Sequence, residues 1–300
     1  MKHAKYATFH LLMKQVDKYF IGACISGYSY KKYTNNTIDN NIMVDENVTE
    51  EQKKKLQKYF DNVFPVPLLA YNSNFPVETK KMKERYGSWI QFATTKWMSL
   101  CFDQYEKILF CDIDTLAMDD YTNIFSVKTP AWTCHHKSYM DNKKLSTIIS
   151  TATTGKEMTK EFIKTISSNT LQDICSYKTK NKYFPLPVNA SMVLLSPSKD
   201  TFTNLFSYIN KNRFIRMLSY MNGPDENILF QYFVCHRKQK VYHLGLEYLT
   251  TEWRYKKKQI AYKNVKKPII MNYDSTDKPW IKVMYEEEKI WDTLKKEMKL

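Results

Sequence analysis

The sequence predicts an α/β fold with a mainly parallel central sheet flanked by helices. Segments typical of strands and of helices alternate along the chain, which is the pattern of parallel strands joined by crossover helices. With 300 residues, 43% of them apolar, the chain is long enough to bury a substantial core. It has only six glycines and contains neither G-x-G-x-x-G nor G-x-x-x-x-G-K, which excludes a glycine-rich dinucleotide turn and a P-loop.

The first 111 residues supply most of this alternation. Residues 6–12 form a β-compatible run, and residues 17–30 follow with apolar side chains at helical spacing. Thr49-x-x-Gln52 is a capping box, which predicts the start of a helix. The predicted elements here are strands at 6–12, 41–44, 63–69 and 107–111 and helices at 17–30, 49–60 and 88–105.

Two stretches interrupt this regular pattern. Residues 72–83 are polar and rich in lysine, which predicts a surface loop, and residues 135–183 show only weak periodicity. Order resumes with a buried strand that ends at Ser196-Pro197-Ser198. The predicted elements after it are strands at 188–195 and 268–273, helices at 199–213 and 224–234, and a basic helix after Trp280.

The chain is strongly basic, with a formal net charge of +15. Nearly all of the positive charge is lysine, and only five arginines occur, although arginine usually dominates where bases or phosphates are bound bidentately. We therefore interpret the charge as a solvated basic surface and regard a nucleic-acid partner as unlikely.

Cysteine usage and hydropathy bear on the compartment. The six cysteines contain no C-x-x-C pair and lie far apart, mostly in apolar runs, which predicts free thiols in a reducing compartment. No window approaches ~18 uninterrupted apolar residues, so we predict no membrane segment. The expectation is a soluble, intracellular, cytoplasmic protein.

An acidic motif follows a strongly apolar predicted strand. Asp112 and Asp114 lie at the carboxyl end of the strand at 107–111, where α/β sheets place their ligands. Both carboxylates can turn toward a shared point, and Mg²⁺ or Mn²⁺ binds carboxylates together with substrate phosphates. The pair can therefore recruit a nucleotide diphosphate without a glycine-rich loop. The alternative is a turn or helix start capped by aspartate.

The segment at 107–115 resembles the strand and Asp-x-Asp signature of the glycogenin-like glycosyltransferases, glycosyltransferase family 8. Four further segments are similar to that family in order and spacing, and the five together span residues 19–280. They are Tyr19-Phe-Ile-Gly22-Ala23, Thr95-Lys96-Trp97, Val188-Asn189-Ala190-Ser191-Met192-Val193 and Lys278-Pro279-Trp280. The chain looks like the compact viral members, those of baculoviruses included.

This resemblance implies a GT-A-like single domain with a nucleotide-binding half at 1–115 and an acceptor-binding half at 116–300. It implies a retaining hexosyltransferase that uses a UDP-sugar donor, Mn²⁺ or Mg²⁺, and an unknown glycan, protein or small-molecule acceptor. The implied metal ligands are Asp112, Asp114 and Asn272, and the implied catalytic residues are Asp225 and Glu226. The implied donor-binding residues are Tyr19, Arg85, Lys96, Ile113, Asn189, Ser191, Ser275 and Lys278.

Four positions depart from the family pattern. Asn272 stands where the family has a metal-binding histidine, and an amide oxygen supplies neither charge nor an imidazole nitrogen. Glu226 stands where the family has a glutamine, which adds a second carboxylate near the anomeric carbon. Ser191 and Ser275 replace glycines, so the backbone approaches the donor less freely.

Two other functions stay open. A catalytically silent module would bind the sugar nucleotide without turnover. A nucleic-acid-binding protein would use the lysine clusters at 53–55, 256–258 and 266–267. The sequence does not identify the sugar, the acceptor or the oligomeric state. It also leaves open whether one of the 22 tyrosines is self-glycosylated.

Overall fold

The structure of the chain is a computed structural model. It describes residues 4–34, 37–70, 87–134, 142–176, 178, 186–211, 223–257, 260–274, 278–283 and 288–300. The predicted loop at 72–83 and the predicted site residues Arg85 and Ser275 lie outside these residues.

A seven-stranded sheet forms the centre of the fold. In spatial order its strands are β3 (Asn62–Pro65), β2 (Asp39–Val44), β1 (Tyr6–Leu12), β4 (Lys107–Cys111), β7 (Met192–Leu195), β6 (Ala131–Thr133) and β8 (Tyr242–Leu244). Neighbouring strands are parallel, except that β7 runs antiparallel to both β4 and β6. The predicted fold class, α/β with a mainly parallel central sheet flanked by helices, is confirmed.

A second, smaller sheet follows the acidic motif directly. Its central strand β10 (Ile270–Asn272) pairs antiparallel with β5 (Thr115–Ala117) and parallel with β9 (Thr250–Thr251). In this register Asn272 lies opposite Thr115. A strand from the C-terminal part of the chain is therefore brought beside the residues that follow Asp114.

Helices of several kinds surround the sheets. The α-helices are α1 (Val16–Lys32), α2 (Glu50–Leu56), α3 (Lys143–Ser150), α4 (Lys160–Ser167), α5 (Leu171–Cys175), α6 (Lys199–Lys211), α7 (Pro224–Leu229), α8 (Glu252–Lys256) and α9 (Lys289–Glu297). Helix α7 continues as a π-helix at Phe230–His236, and 3₁₀ helices occupy Ile90–Cys101, Thr122–Ser126 and Ile260–Tyr262. None of the described helices is both long and apolar enough to cross a membrane.

Several predicted elements are shorter than expected. The strand predicted at 63–69 ends at Pro65, because proline has no N–H with which to continue the ladder. The strand predicted at 188–195 begins only at Met192, because Ser191 N donates to Asn189 Oδ1 and closes a local turn. The helix predicted at 88–105 is the 3₁₀ helix Ile90–Cys101.

Apolar side chains cover both faces of β4. Ile108 and Phe110 belong to one core cluster, whereas Leu109 and Cys111 belong to another on the opposite face. Burial on both faces explains why this strand is an uninterrupted apolar run. The acidic motif therefore begins where a rigid, fully enclosed strand ends.

A glycine allows helix α1 to approach the C-terminal segment closely. A Cβ atom at Gly22 would lie only 2.6 Å from Cε2 of Trp280. Trp280 Nε1 donates to Lys18 O over 2.8 Å, and its ring packs against Trp291 with the centroids 5.0 Å apart. The segment that carries Lys278 is thus seated on helix α1.

Two cysteines are paired, contrary to the expectation that the thiols are free. Cys175 at the end of α5 forms a disulfide with Cys235 in the π-helix, with their Cα atoms 5.3 Å apart. The fold brings together two cysteines that are 60 residues apart in sequence, a distance at which spacing gives no signal. The free cysteines are Cys24, Cys101, Cys111 and Cys134.

Candidate active site

The acidic motif lies at a junction of two sheets. Asp112 leaves the carboxyl end of β4, and its backbone N–H donates to Ser191 O over 2.8 Å. Asp114 immediately precedes β5, and its carbonyl oxygen accepts a hydrogen bond from Tyr273 N over 2.9 Å. Both aspartates are therefore held by backbone hydrogen bonds to segments that are distant in sequence.

A buried lysine joins two of the candidate carboxylates. Lys96 Nζ lies 2.6 Å from Asp225 Oδ2 and 3.1 Å from Asp112 Oδ1, and it is 3.4 Å from Ala190 O. Burial opposes the charge of this lysine, but the two carboxylates outweigh burial and raise the pKa of Lys96 above its usual value. Lys96 is therefore a fixed positive charge within the site.

The surroundings of the Asp112 carboxyl disfavour its charged form. Burial raises the pKa of Asp112, and the Asp114 and Asp225 carboxylates raise it further, while Lys96 lowers it. Three carboxylates, those of Asp112, Asp114 and Asp225, share two lysines, so a bound cation would stabilise the remaining negative charge.

A second buried lysine holds the other aspartate of the motif. Lys278 Nζ donates to Asp114 Oδ2 over 2.6 Å and to Tyr273 O over 3.1 Å. Burial opposes its charge, but the Asp114 carboxylate outweighs burial and raises the pKa of Lys278. Each aspartate of the motif therefore has its own lysine partner.

Two side-chain oxygens in this region are buried without hydrogen-bond partners among the described residues. They are Asp114 Oδ1 and Asn272 Oδ1, at the ends of the neighbouring strands β5 and β10. Buried polar atoms without partners are rare, and they point to a missing ion or water. Carboxylate and amide oxygens are the ligands that a hard divalent cation prefers, so these residues fit Mg²⁺ or Mn²⁺.

The set of side chains that could bind a cation here is unusual in composition. Within the described ranges no three His, Cys, Asp or Glu side chains come together as a metal-binding group. The predicted third ligand, Asn272, is of none of these four types and would contribute an amide oxygen.

The two acidic residues of α7 have different surroundings. Asp225 contacts Lys96 and so faces the acidic motif. Glu226 instead turns back on its own helix: its Oε2 accepts from Gly223 N over 2.5 Å, and its Oε1 lies 3.5 Å from Ala190 N. Burial, followed by the Asp225 carboxylate, raises the pKa of Glu226 to about 8. Glu226 therefore caps the start of α7 by accepting from the backbone N–H of the N-cap residue, Gly223.

The remaining described donor-binding candidates lie around this cluster. Asn189 accepts from Ser191 N through its side-chain oxygen over 2.8 Å, so the two residues form one turn next to Asp112. The Tyr19 ring packs against the Trp280 ring at 5.7 Å, next to Lys278. Ile113, between the two aspartates, is half-buried against the cluster that contains Leu12 and Val44.

Two contributors to this geometry were not among the predicted site residues. The Ala190 carbonyl faces Lys96, and a backbone group carries no sequence signal. The Thr115 hydroxyl donates to Asp112 O over 2.6 Å. A polar residue directly after the motif, in an otherwise apolar strand, was the available signal for Thr115.

Comparison with known proteins places this site in a recognised fold. No protein-family model matches the chain. A mimivirus protein (Acanthamoeba polyphaga mimivirus), described as uncharacterised, is 22% identical over 263 residues, which are 87% of this chain and 78% of the viral protein. The galactosyltransferase LgtC, solved with donor and acceptor sugar analogues, has a TM-score of 0.59 at 13% identity, over 97% of this chain and 95% of LgtC. The chain has the GT-A glycosyltransferase fold.

A further solved structure is similar over the same region. The glycosyltransferase GlyE of Streptococcus pneumoniae has a TM-score of 0.57 at 14% identity. The match covers 97% of this chain but 60% of GlyE, so GlyE contains additional structure. The likeness extends over nearly the whole of this chain.

Proposed function

We propose that the chain is a glycosyltransferase that moves a hexose or a related sugar from a UDP-sugar to an acceptor, with retention at the anomeric carbon. The observation that carries the proposal is the convergence of Asp112, Asp114 and Asp225 on two buried lysines, where the strand β4 ends. The fold shared with LgtC, whose structure holds donor and acceptor sugar analogues, supports it. The motifs that resemble glycosyltransferase family 8 support membership of that family, and the similarity to a mimivirus protein supports the compact viral form.

The proposed cation is Mn²⁺ or Mg²⁺, and Asp112, Asp114 and Asn272 would hold it. When bound, it would supply positive charge to the diphosphate of the donor and to the UDP that departs. Lys96 and Lys278 add two fixed positive charges of the chain's own, each already paired with an aspartate. In a site from which water is largely excluded, such preorganised charges stabilise developing negative charge strongly.

The proposed place of the sugar is between Asp225 and Asn189. Lys96 holds the Asp225 carboxylate, which can then accept a sugar hydroxyl and stabilise the positive charge that builds at the anomeric carbon. Glu226 is the second carboxylate on this helix turn and stays a proposed member of the reacting centre. Tyr19, beside Lys278 and Trp280, is proposed to lie near the nucleoside. The acceptor would attack from the face that UDP leaves.

The test is a panel of UDP-sugars incubated with the protein, with and without Mn²⁺ or Mg²⁺, in which released UDP is measured. We expect release from one donor, dependent on the cation, and a product whose anomeric configuration by NMR matches that of the donor. Asp112→Asn should abolish release. Asp119→Asn is the matched control, because Asp119 lies on the surface in an ion pair with Lys267, outside the site.

The same experiment separates the alternatives. UDP binding without release from any donor would indicate a silent sugar-nucleotide module. No UDP binding, together with salt-sensitive binding to a generic DNA duplex, would favour the nucleic-acid function and overturn the proposal.

A further inference from the structure

We propose that Thr115 is a positioning residue whose hydroxyl, supported by Tyr30, fixes the turn that carries Asp112 and Asp114. The inference rests on the proposed function, because it concerns how that turn is prepared for a cation and a diphosphate. Thr115 Oγ1 donates to Asp112 O over 2.6 Å, and Thr115 N donates to the same oxygen over 3.2 Å. The side chain of Thr115 thus closes the turn from within.

The direction of these hydrogen bonds follows from chemistry. A threonine hydroxyl has one hydrogen, and the Asp112 carbonyl oxygen can only accept, so the hydrogen of Thr115 Oγ1 points to Asp112. The Tyr30 hydroxyl, 2.9 Å from Thr115 Oγ1, must then be the donor in that contact. Burial raises the pKa of Tyr30 well above its usual value, which keeps the phenol in its donating form. A directed chain therefore runs from Tyr30 through Thr115 to the backbone of Asp112.

Helix α1, which carries Tyr30, makes two further hydrogen bonds to β5. Ser26 Oγ donates to Thr115 O over 2.8 Å, and Ala117 N donates to Ser29 Oγ over 3.1 Å. Ser26, Tyr30 and Thr115 are all completely buried. Helix α1 is thus attached to strand β5 by hydrogen bonds that are buried from water.

The position of this chain of hydrogen bonds gives it a role beyond packing. A hydrogen bond to a group that carries metal ligands orients those ligands, and loss of such an outer contact commonly weakens metal binding by about 10- to 100-fold. Thr115 is next to Asp114 in sequence and bonded to the backbone of Asp112, so loss of its hydroxyl removes the side-chain hydrogen bond within the turn that carries both proposed ligands.

The experiment compares wild type with Thr115→Val, Thr115→Ser and the double variant Tyr30→Phe with Thr115→Val. Mn²⁺ binding is followed by electron paramagnetic resonance, and UDP binding in the presence of Mn²⁺ by calorimetry. Thr115→Val keeps the volume but loses the hydroxyl, and we expect its Mn²⁺-dependent UDP binding to weaken by about 10-fold or more. Thr115→Ser keeps the hydroxyl and should bind like wild type.

The double variant separates positioning from stability. Thr115→Val alone removes the oxygen that accepts from the buried Tyr30 hydroxyl, which lowers the melting temperature. Removing both hydroxyls eliminates this broken contact, so the melting temperature should recover while the binding defect persists. Tyr121→Phe is the control, because the Tyr121 hydroxyl donates to Tyr30 O over 3.4 Å and does not reach the turn.

Two results would overturn the role of Thr115. One is unchanged binding in Thr115→Val, and the other is binding that recovers together with the melting temperature in the double variant. If wild type itself binds no UDP in the presence of Mn²⁺, the proposed function fails, and the role of Thr115 fails with it.

Discussion

Lys96 Nζ lies 2.6 Å from Asp225 Oδ2, which makes a residue of the 3₁₀ helix the direct partner of the first turn of α7. The same ammonium group reaches Asp112, so it links the acidic motif to the helix that carries Asp225 and Glu226. A buried cation between two carboxylates stabilises only as long as all of its partners are present.

Lys96→Met should therefore destabilise the fold by about 3 kcal/mol, because it leaves Asp112 and Asp225 close together without their shared cation. Chemical denaturation measures the change. Combining it with Asp225→Asn should cost less than the sum of the two single changes. Lys199→Met removes an exposed ion pair with Asp103 and should change stability little; an equal loss in both lysine variants would contradict the shared-cation argument.

Asp112→Asn and Asp114→Asn should each abolish metal-dependent UDP-sugar binding without loss of secondary structure. Each change removes a negative charge from the proposed cation site, whose backbone is held by other segments. Calorimetry with UDP and Mn²⁺ measures the binding, and circular dichroism checks the fold. Affinity that stays at the wild-type value in both variants would remove these aspartates from the cation site.

Asn272→His should tighten Mn²⁺ binding, because it restores the histidine of the resembled family pattern, whose ring nitrogen is a stronger electron-pair donor than an amide oxygen. The position is suitable because Asn272 Oδ1 is buried beside the motif without a partner in the described part of the chain. Electron paramagnetic resonance of Mn²⁺ gives the affinity. Weaker binding in this variant would mean that the side chain at 272 does not reach the cation.

Asp225→Asn and Glu226→Gln should have different effects. The first removes a carboxylate that faces the buried Lys96, so we expect a lower melting temperature and, per folded molecule, a joint fall of kcat and kcat/KM. The second replaces one of two accepting oxygens with an amide donor that faces a backbone N–H, so we expect mainly a loss of stability, about 0.5–2 kcal/mol. Slower turnover at an unchanged melting temperature in Glu226→Gln would instead place that carboxyl at the sugar.

Two buried histidines should make the fold acid-sensitive. Burial lowers the pKa of His10 from 6.5 to about 3 and that of His243 to about 4, so the folded chain keeps them neutral while the unfolded chain takes up protons below pH 6.5. The contribution of these two histidines to the free energy of unfolding is therefore fully present above pH 6.5. It falls as the pH drops below 6.5, by up to about 1.4 kcal/mol per pH unit for each histidine. Urea unfolding at several pH values between 7 and 5 gives the free energy of unfolding as a function of pH. This free energy should fall less steeply with falling pH in His10→Gln and in His243→Gln than in wild type. The exposed His236→Gln is the control and should keep the wild-type slope.

The central strands could be predicted because their signals are local. The strand predicted at 6–12 occurs with the same bounds, and the capping box of Thr49 and Gln52 is present at α2. The antiparallel direction of β7 and the strands of two or three residues could not be predicted, because they depend on pairing with distant segments. The disulfide of Cys175 and Cys235 is hidden for the same reason.

The sequence predicted which residues belong to the candidate site but not how they contact one another. Asp112, Asp114, Lys96, Lys278 and Asp225 were each expected, and the structure brings them together. Which lysine pairs with which aspartate was not predictable, because it depends on where the 3₁₀ helix and the C-terminal segment pack. The capping contacts of Glu226 depend likewise on the distant backbone of Ala190.

The close contact between the Trp280 ring and Gly22 has an evolutionary consequence. Because a methyl group at position 22 would overlap the indole ring, an alanine there is compatible only with a smaller side chain at 280 or a displaced segment. A displaced segment would carry Lys278 away from Asp114. Positions 22 and 280 are therefore expected to covary among related sequences, with a large residue at 280 wherever position 22 is glycine. A change from one combination to the other would need substitutions at both positions.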